Sequence, residues 1–102
     1  MSEFVRVASR KDVPEGQGRM FEVNGRQVAL FKVAGKFHAI DSVCAHQGGP
    51  LADGELDGCV VTCPWHGWTY DVTSGESPDD PGTRVERFEV TVEGDEVMVR
   101  IG

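Results

Sequence analysis

Cysteine and histidine meet in two short mixed pairs, Cys44-Ala45-His46 and Cys63-Pro64-Trp65-His66, with sixteen residues (47–62) between them. Cys/His sets at such spacing usually bind metal, so whatever the chain folds into must carry two loops to one point. Each pair offers one thiolate and one imidazole. Together they form an S₂N₂ donor set, which suits zinc or an iron–sulfur cluster. A structural zinc site more often pairs Cys with Cys and His with His along the chain. In a mixed cluster one iron takes both Cys and the other both His. Cys44 and Cys63 take the inner place in their loops, and His46 and His66, two and three residues on, reach the outer iron. The order of ligands therefore favours the cluster over zinc.

The rest of the 102 residues reads as one all-β domain, 1–102. Strands are predicted at Phe4–Ala8, Arg19–Val23, Gln27–Val33 and Lys36–Asp41, with Asn24-Gly25 and Ala34-Gly35 as turns. Near the end Phe88, Val90 and Val92 alternate with polar residues, Gly94-Asp95 turns the chain, and Val97, Val99 and Ile101 follow. No segment keeps a helical period. Short strands of this kind close into a small antiparallel β barrel or sandwich. Residues 42–83 differ, being rich in Gly, Pro and Asp. Only Cys59–Thr62 and Trp68–Val72 look like strands there, so this stretch is expected to be a loop-rich subdomain inserted on the scaffold.

Charge narrows the partners. The net charge is −7, which excludes a nucleic-acid binder that must face phosphates with Lys and Arg. Residues 42–83 hold seven acidic side chains and no Lys or Arg. That face either keeps the protein soluble or meets a basic partner. No apolar run approaches the roughly 20 residues of a membrane span, and the N-terminal stretch lacks the apolar core of a signal peptide. The expected location is the cytoplasm, where three cysteines stay free of a disulfide framework.

The stretches C-A-H-Q-G-G-P-L and C-P-W-H-G-W-T-Y-D resemble the two cluster-binding boxes of Rieske proteins, and the flanking strands, the Gly75 turn and the Pro-rich stretch 78–82 fall in the family's order. The resemblance implies a [2Fe–2S] cluster with Cys44 and Cys63 on the buried iron and His46 and His66 on the exposed iron. It also implies that Ser77–Gly82 covers the cluster. Tyr70 is either a donor to a Cys sulfur or a core aromatic. Trp68 is expected to shield the site, while Trp65 is open between shielding and docking. Gly48, Gly49, Pro64 and Gly67 are read as turn formers, His38 as a structural or surface residue, and Cys59 as a small buried apolar one. Respiratory-chain members carry a disulfide between the loops, where this chain has Gly49 and Trp65, and a Ser where it has Trp68. Those departures point to the ferredoxin branch.

The implied function is one-electron transfer from a flavin-dependent ferredoxin reductase to a terminal ring-hydroxylating oxygenase, by a monomer that is not itself an enzyme. An oxygenase needs a second iron on two His and a carboxylate, and after His46 and His66 only His38 remains. The alternative is a small Rieske subunit of an assimilatory nitrite reductase, which shares the fold and would copurify with a large sirohaem partner.

Overall fold

The computed structural model describes residues 4–43, 50–65, 67–78 and 80–100. Four strands come first: β1 (Phe4–Ser9), β2 (Gly18–Val23), β3 (Arg26–Val33) and β4 (Lys36–Asp41). The Gly/Pro-rich stretch holds β5 (Glu55–Asp57), β6 (Val60–Thr62), β7 (Thr69–Asp71), β8 (Glu76–Ser77) and β9 (Asp80–Arg84). β10 (Arg87–Glu93) and β11 (Glu96–Arg100) end the described chain, and single 3₁₀ turns lie at Arg10–Asp12 and Leu51–Asp53.

Two-residue turns set the scaffold. Asn24 and Gly25 take left-handed φ angles of 51° and 81° between β2 and β3, as a tight hairpin turn requires. Ala34 and Gly35 repeat this between β3 and β4, at 51° and 78°. Alanine is a costly residue there. Its amide and that of Gly35 donate to the Glu15 carboxylate at 2.7 and 2.8 Å, which holds the turn.

The large antiparallel sheet has the order β1-β11-β10-β4-β3-β2. Its two edge strands, β1 and β2, also approach one another, so the sheet is nearly a closed barrel. β5, β6 and β7 form a separate three-stranded sheet, and β8 pairs with β9. These small sheets lie in sequence between β4 and β10, which themselves pair. This is the all-β barrel with a loop-rich insertion expected from the sequence.

β3 divides the molecule. Val28 to Phe31 are all fully buried. Successive side chains of a strand point to opposite faces. Val28 and Leu30 join the barrel core of Phe37, Phe88, Val97 and Val99. Ala29 and Phe31 join a second core with Leu51, Val61, Cys63 and Tyr70. One strand thus carries two cores on its two faces, which fixes the insertion against the barrel.

Several boundaries differ from the sequence reading. Cys59 lies in a turn, so the strand expected at Cys59–Thr62 begins at Val60; Trp68 and Val72 flank β7 instead of belonging to it. β5 and β8, of three and two residues, are too short to show a period, and neither they nor the five-residue β9 are among the strands expected from the sequence. β9 contains Pro81 and Gly82, which argue against a strand except at a sheet edge. In a two-stranded sheet every strand is an edge.

Candidate metal centre

The first loop is tied at its base. Asp41 ends β4, and its amide donates to the Glu86 carbonyl at 2.8 Å. The Ser42 amide donates to Gln27, and the Leu51 amide donates back to Ser42 at 2.7 Å. Val43 and Pro50 form a bridge that brackets residues 44–49. Cys44, His46, Gly48 and Gly49 lie outside the described residues, but the two ends that carry them are fixed.

Arg26 braces this base. Its guanidinium reaches Glu86 at 3.0 Å and Asp41 at 3.4 Å, and sits 5.1 Å from the centre of the Phe88 ring. The hydrogen bond to Glu86, ahead of the attraction of Asp41, pushes the Arg26 pKa further up. The other Asp41 oxygen accepts the Val43 amide at 3.0 Å, one residue before Cys44. No sequence signal marked Arg26 or Asp41, since their partners are 15 and 60 residues from Arg26.

The second loop closes on itself. The Cys63 amide donates to the Trp68 carbonyl at 2.6 Å, and the Gly67 amide donates to the Cys63 carbonyl at 3.1 Å. Gly67 takes φ 76°, a conformation that favours glycine. Cys63 is 1% exposed at the base of this loop, while Trp65 is 59% exposed. His66 lies outside the described residues. Trp68 is half-buried against the apolar core that holds Cys63, and Tyr70 is fully buried in that same core. Cys59 packs on it too, half-buried and free of any disulfide. It is thus more open than the buried residue expected.

The stretch Ser77–Gly82 is a hairpin, with Ser77 opposite Asp80. The Asp80 carboxylate accepts the Thr83 hydroxyl at 2.8 Å and the Gly82 amide at 3.3 Å. Ser77 Oγ is buried and has no hydrogen-bond partner among the described residues. A buried hydroxyl needs an acceptor, and a sulfur-rich cofactor would supply one. His38 stands apart on β4, half-buried. Burial first, then the charges of Arg87 and Lys36, push its pKa down, while Asp71 opposes them.

Of the four expected ligands, then, only Cys63 falls among the described residues. A buried thiol in a closed hairpin loop, in a core that includes Phe31 and Tyr70, fits a cluster ligand. Among the described residues no helix is long and apolar enough to cross a membrane.

Known proteins resemble this chain along most of its length. The family model for the Rieske [2Fe–2S] domain matches residues 3–99. Human apoptosis-inducing factor 3 is 40% identical over 95 residues; these are 92% of this chain but 16% of that protein. The ferredoxin component of the naphthalene 1,2-dioxygenase/salicylate 5-hydroxylase systems of Ralstonia sp is 32% identical, covering 96% of this chain and 95% of its own. Among solved structures, the ferredoxin of carbazole 1,9a-dioxygenase from Nocardioides aromaticivorans superimposes with a TM-score of 0.88 at 27% identity, covering 94% of this chain and 95% of that one.

Proposed function

The chain belongs to the Rieske [2Fe–2S] domain family, and we propose that it is a ferredoxin that passes single electrons from a flavin reductase to a terminal ring-hydroxylating oxygenase. One observation carries this: a dioxygenase-system ferredoxin component is matched over 95% of its own length. The likeness therefore spans the barrel and both loops. A bound [2Fe–2S] cluster supplies one-electron redox chemistry.

The ligands in this reading are Cys44 and Cys63 for one iron and His46 and His66 for the other. What supports them is the pairing of thiolate with imidazole in each loop, the tying of both loop bases, and the burial of the Cys63 thiol. Phe31, Trp68 and Tyr70 keep water from the sulfur side. Ser77 Oγ is a spare donor, and its hairpin covers the cluster. The chain acts as one domain, 1–102, with the cluster-binding part at about 42–83. It carries electrons: with His46 and His66 on the cluster, only His38 is left for the two-His site of an oxygenase iron. It works as a monomer in the cytoplasm, where Cys59 remains a free thiol.

The test is an electron-transfer assay. The purified red-brown protein should support oxygenase turnover with a flavin reductase and NADH, and omitting it should stop turnover. A chain that never reduces an oxygenase and instead copurifies with a large sirohaem subunit is the nitrite reductase subunit.

A further inference from the structure

β10 pairs with β4 only through Arg87–Ile40 and Phe88–Ala39. From Glu89 onward it pairs with β11. The start of β4 and the end of β10 therefore part, and a cavity of about 510 Å³ opens between them. Phe37 and Phe88, both buried, line it together with His38 and two β10 valines. Arg10, Lys36 and Arg87 stand around it. Arg10 lies on a 3₁₀ turn held by its amide, which donates to the Asp95 carbonyl at 2.8 Å. The volume falls in the range of small-molecule sites, roughly 300–1,000 Å³.

Its charge runs against the rest of the molecule. The chain has 17 acidic and 10 basic residues. Arg6, Arg26 and Arg100 each pair with a carboxylate. Arg10, Lys36 and Arg87 pair with none of the described carboxylates, although all three border one cavity. Like charges gathered without a counter-charge repel one another. The field reaches His38, which faces Arg87 and Lys36 on one side and Asp71 on the other. An anion placed among the three cations removes that repulsion. The two phenylalanines in its lining add a preference for an anion with an apolar body.

We propose that the cleft between β4 and β10 is a binding site for a small organic carboxylate, its charge held by Arg10, Lys36 and Arg87 and its apolar part on Phe37 and Phe88. Among the described residues its lining includes none of the second loop and neither end of the first. It uses the beginning of β4, whereas the end of β4 leads into Val43 and the first loop. It holds whether or not the chain serves an oxygenase.

The experiment is a ¹H–¹⁵N NMR titration of the holo-protein with sodium benzoate at constant ionic strength, beside acetate and benzyl alcohol. Benzoate should give saturable shifts at Lys36–Ala39 and Arg87–Val92, with a Kd roughly ten-fold or more below that of either half-probe. Arg87→Ala should weaken benzoate about five-fold or more, and Arg87→Lys should restore most of the loss, because the charge returns. Saturation should also raise the His38 pKa, since the bound anion offsets Arg87 and Lys36. If Arg87→Ala loses the native amide pattern, Lys36→Ala beside the exposed turn replaces it. Shifts that do not saturate, that acetate matches in strength, that map elsewhere, or that survive both alanine changes overturn the proposal.

Discussion

Arg26 shows how one side chain can join segments that the sequence keeps far apart. It links the β2–β3 turn to Asp41 at the end of β4 and to Glu86 before β10. The side chains are part-exposed, at 37% for Arg26, 27% for Asp41 and 49% for Glu86. Solvent screening holds such pairs to about 0–1 kcal/mol, and the stacking on Phe88 adds about 0.5–1 kcal/mol. Arg26→Met should therefore lower stability by about 1 kcal/mol in urea denaturation, with part of the loss persisting at high salt where ion pairs are screened. A variant as stable as the parent at both salt levels would remove Arg26 from the account. Glu15 makes a second residue-scale test. Its fully exposed carboxylate accepts two turn amides, which pull its pKa below the ordinary 4.5. A lowered folded pKa stabilises above the unfolded value, and the gain is lost as pH falls through the folded one. The difference in melting temperature between the parent and Glu15→Gln should thus be constant near neutral pH and vanish on acidification. A gap that widened in acid would reverse the sign. At Ala34, replacement by Asn, which tolerates left-handed φ, should stabilise by about 0.5–1 kcal/mol.

β3 is the element on which both halves depend. Phe31 is fully buried on its insertion-facing side, next to the core that holds Cys63. Phe31→Ala should cost about 3–5 kcal/mol and shorten cluster retention, measured as bleaching of visible absorbance over time. A Cβ at Gly54 would strike the Thr62 carbonyl and the Val61 side chain. Gly54→Ala should cost about 1–3 kcal/mol by overpacking, whereas a Cβ at Gly54 with no such neighbours would have been harmless. Parent-like stability in urea would contradict that close approach. The long strands were legible because apolar alternation and Gly turns act over neighbouring residues: Lys36–Asp41 is β4 to the residue. Val28–Phe31 broke the alternation, and the fully buried strand is the reason. β5, β8 and β9 were not legible, since their pairing depends on partners and not on pattern. The Arg26 links to Asp41 and Glu86 were not legible for the same cause: they span 15 and 60 residues, and a sequence carries no local mark of them.

Across the whole molecule, acidic charge and the Cys/His pairs share one stretch of sequence. The segment 42–83, with seven acidic residues and no basic one, contains both Cys/His pairs. Electron transfer to the partner should slow as ionic strength rises, because the Debye length shrinks from about 30 Å at 0.01 M to about 8 Å at 0.15 M. A rate that is flat or rises over that range would contradict a basic docking face. The Cys/His spacing made the candidate site legible before any fold was known, since ligand chemistry needs those residue types in that order. Trp68 and the stretch Ser77–Gly82 were placed beside it by the family resemblance, whereas the bracing of the first loop by Arg26, Asp41 and Glu86 was visible only in the fold. Protein-film voltammetry of the holo-protein from neutral to strongly alkaline pH tests the central claim most directly. Two neutral imidazoles on one iron lose protons more readily when that iron is ferric, so reduction takes up a proton at high pH. The account gives one reversible one-electron wave in the lower part of about −150 to +300 mV, flat near neutral pH and falling toward a limiting slope of about 59 mV per pH unit in alkali. No wave, as zinc would give, or a potential independent of pH throughout would contradict a [2Fe–2S] cluster held by two Cys and two His.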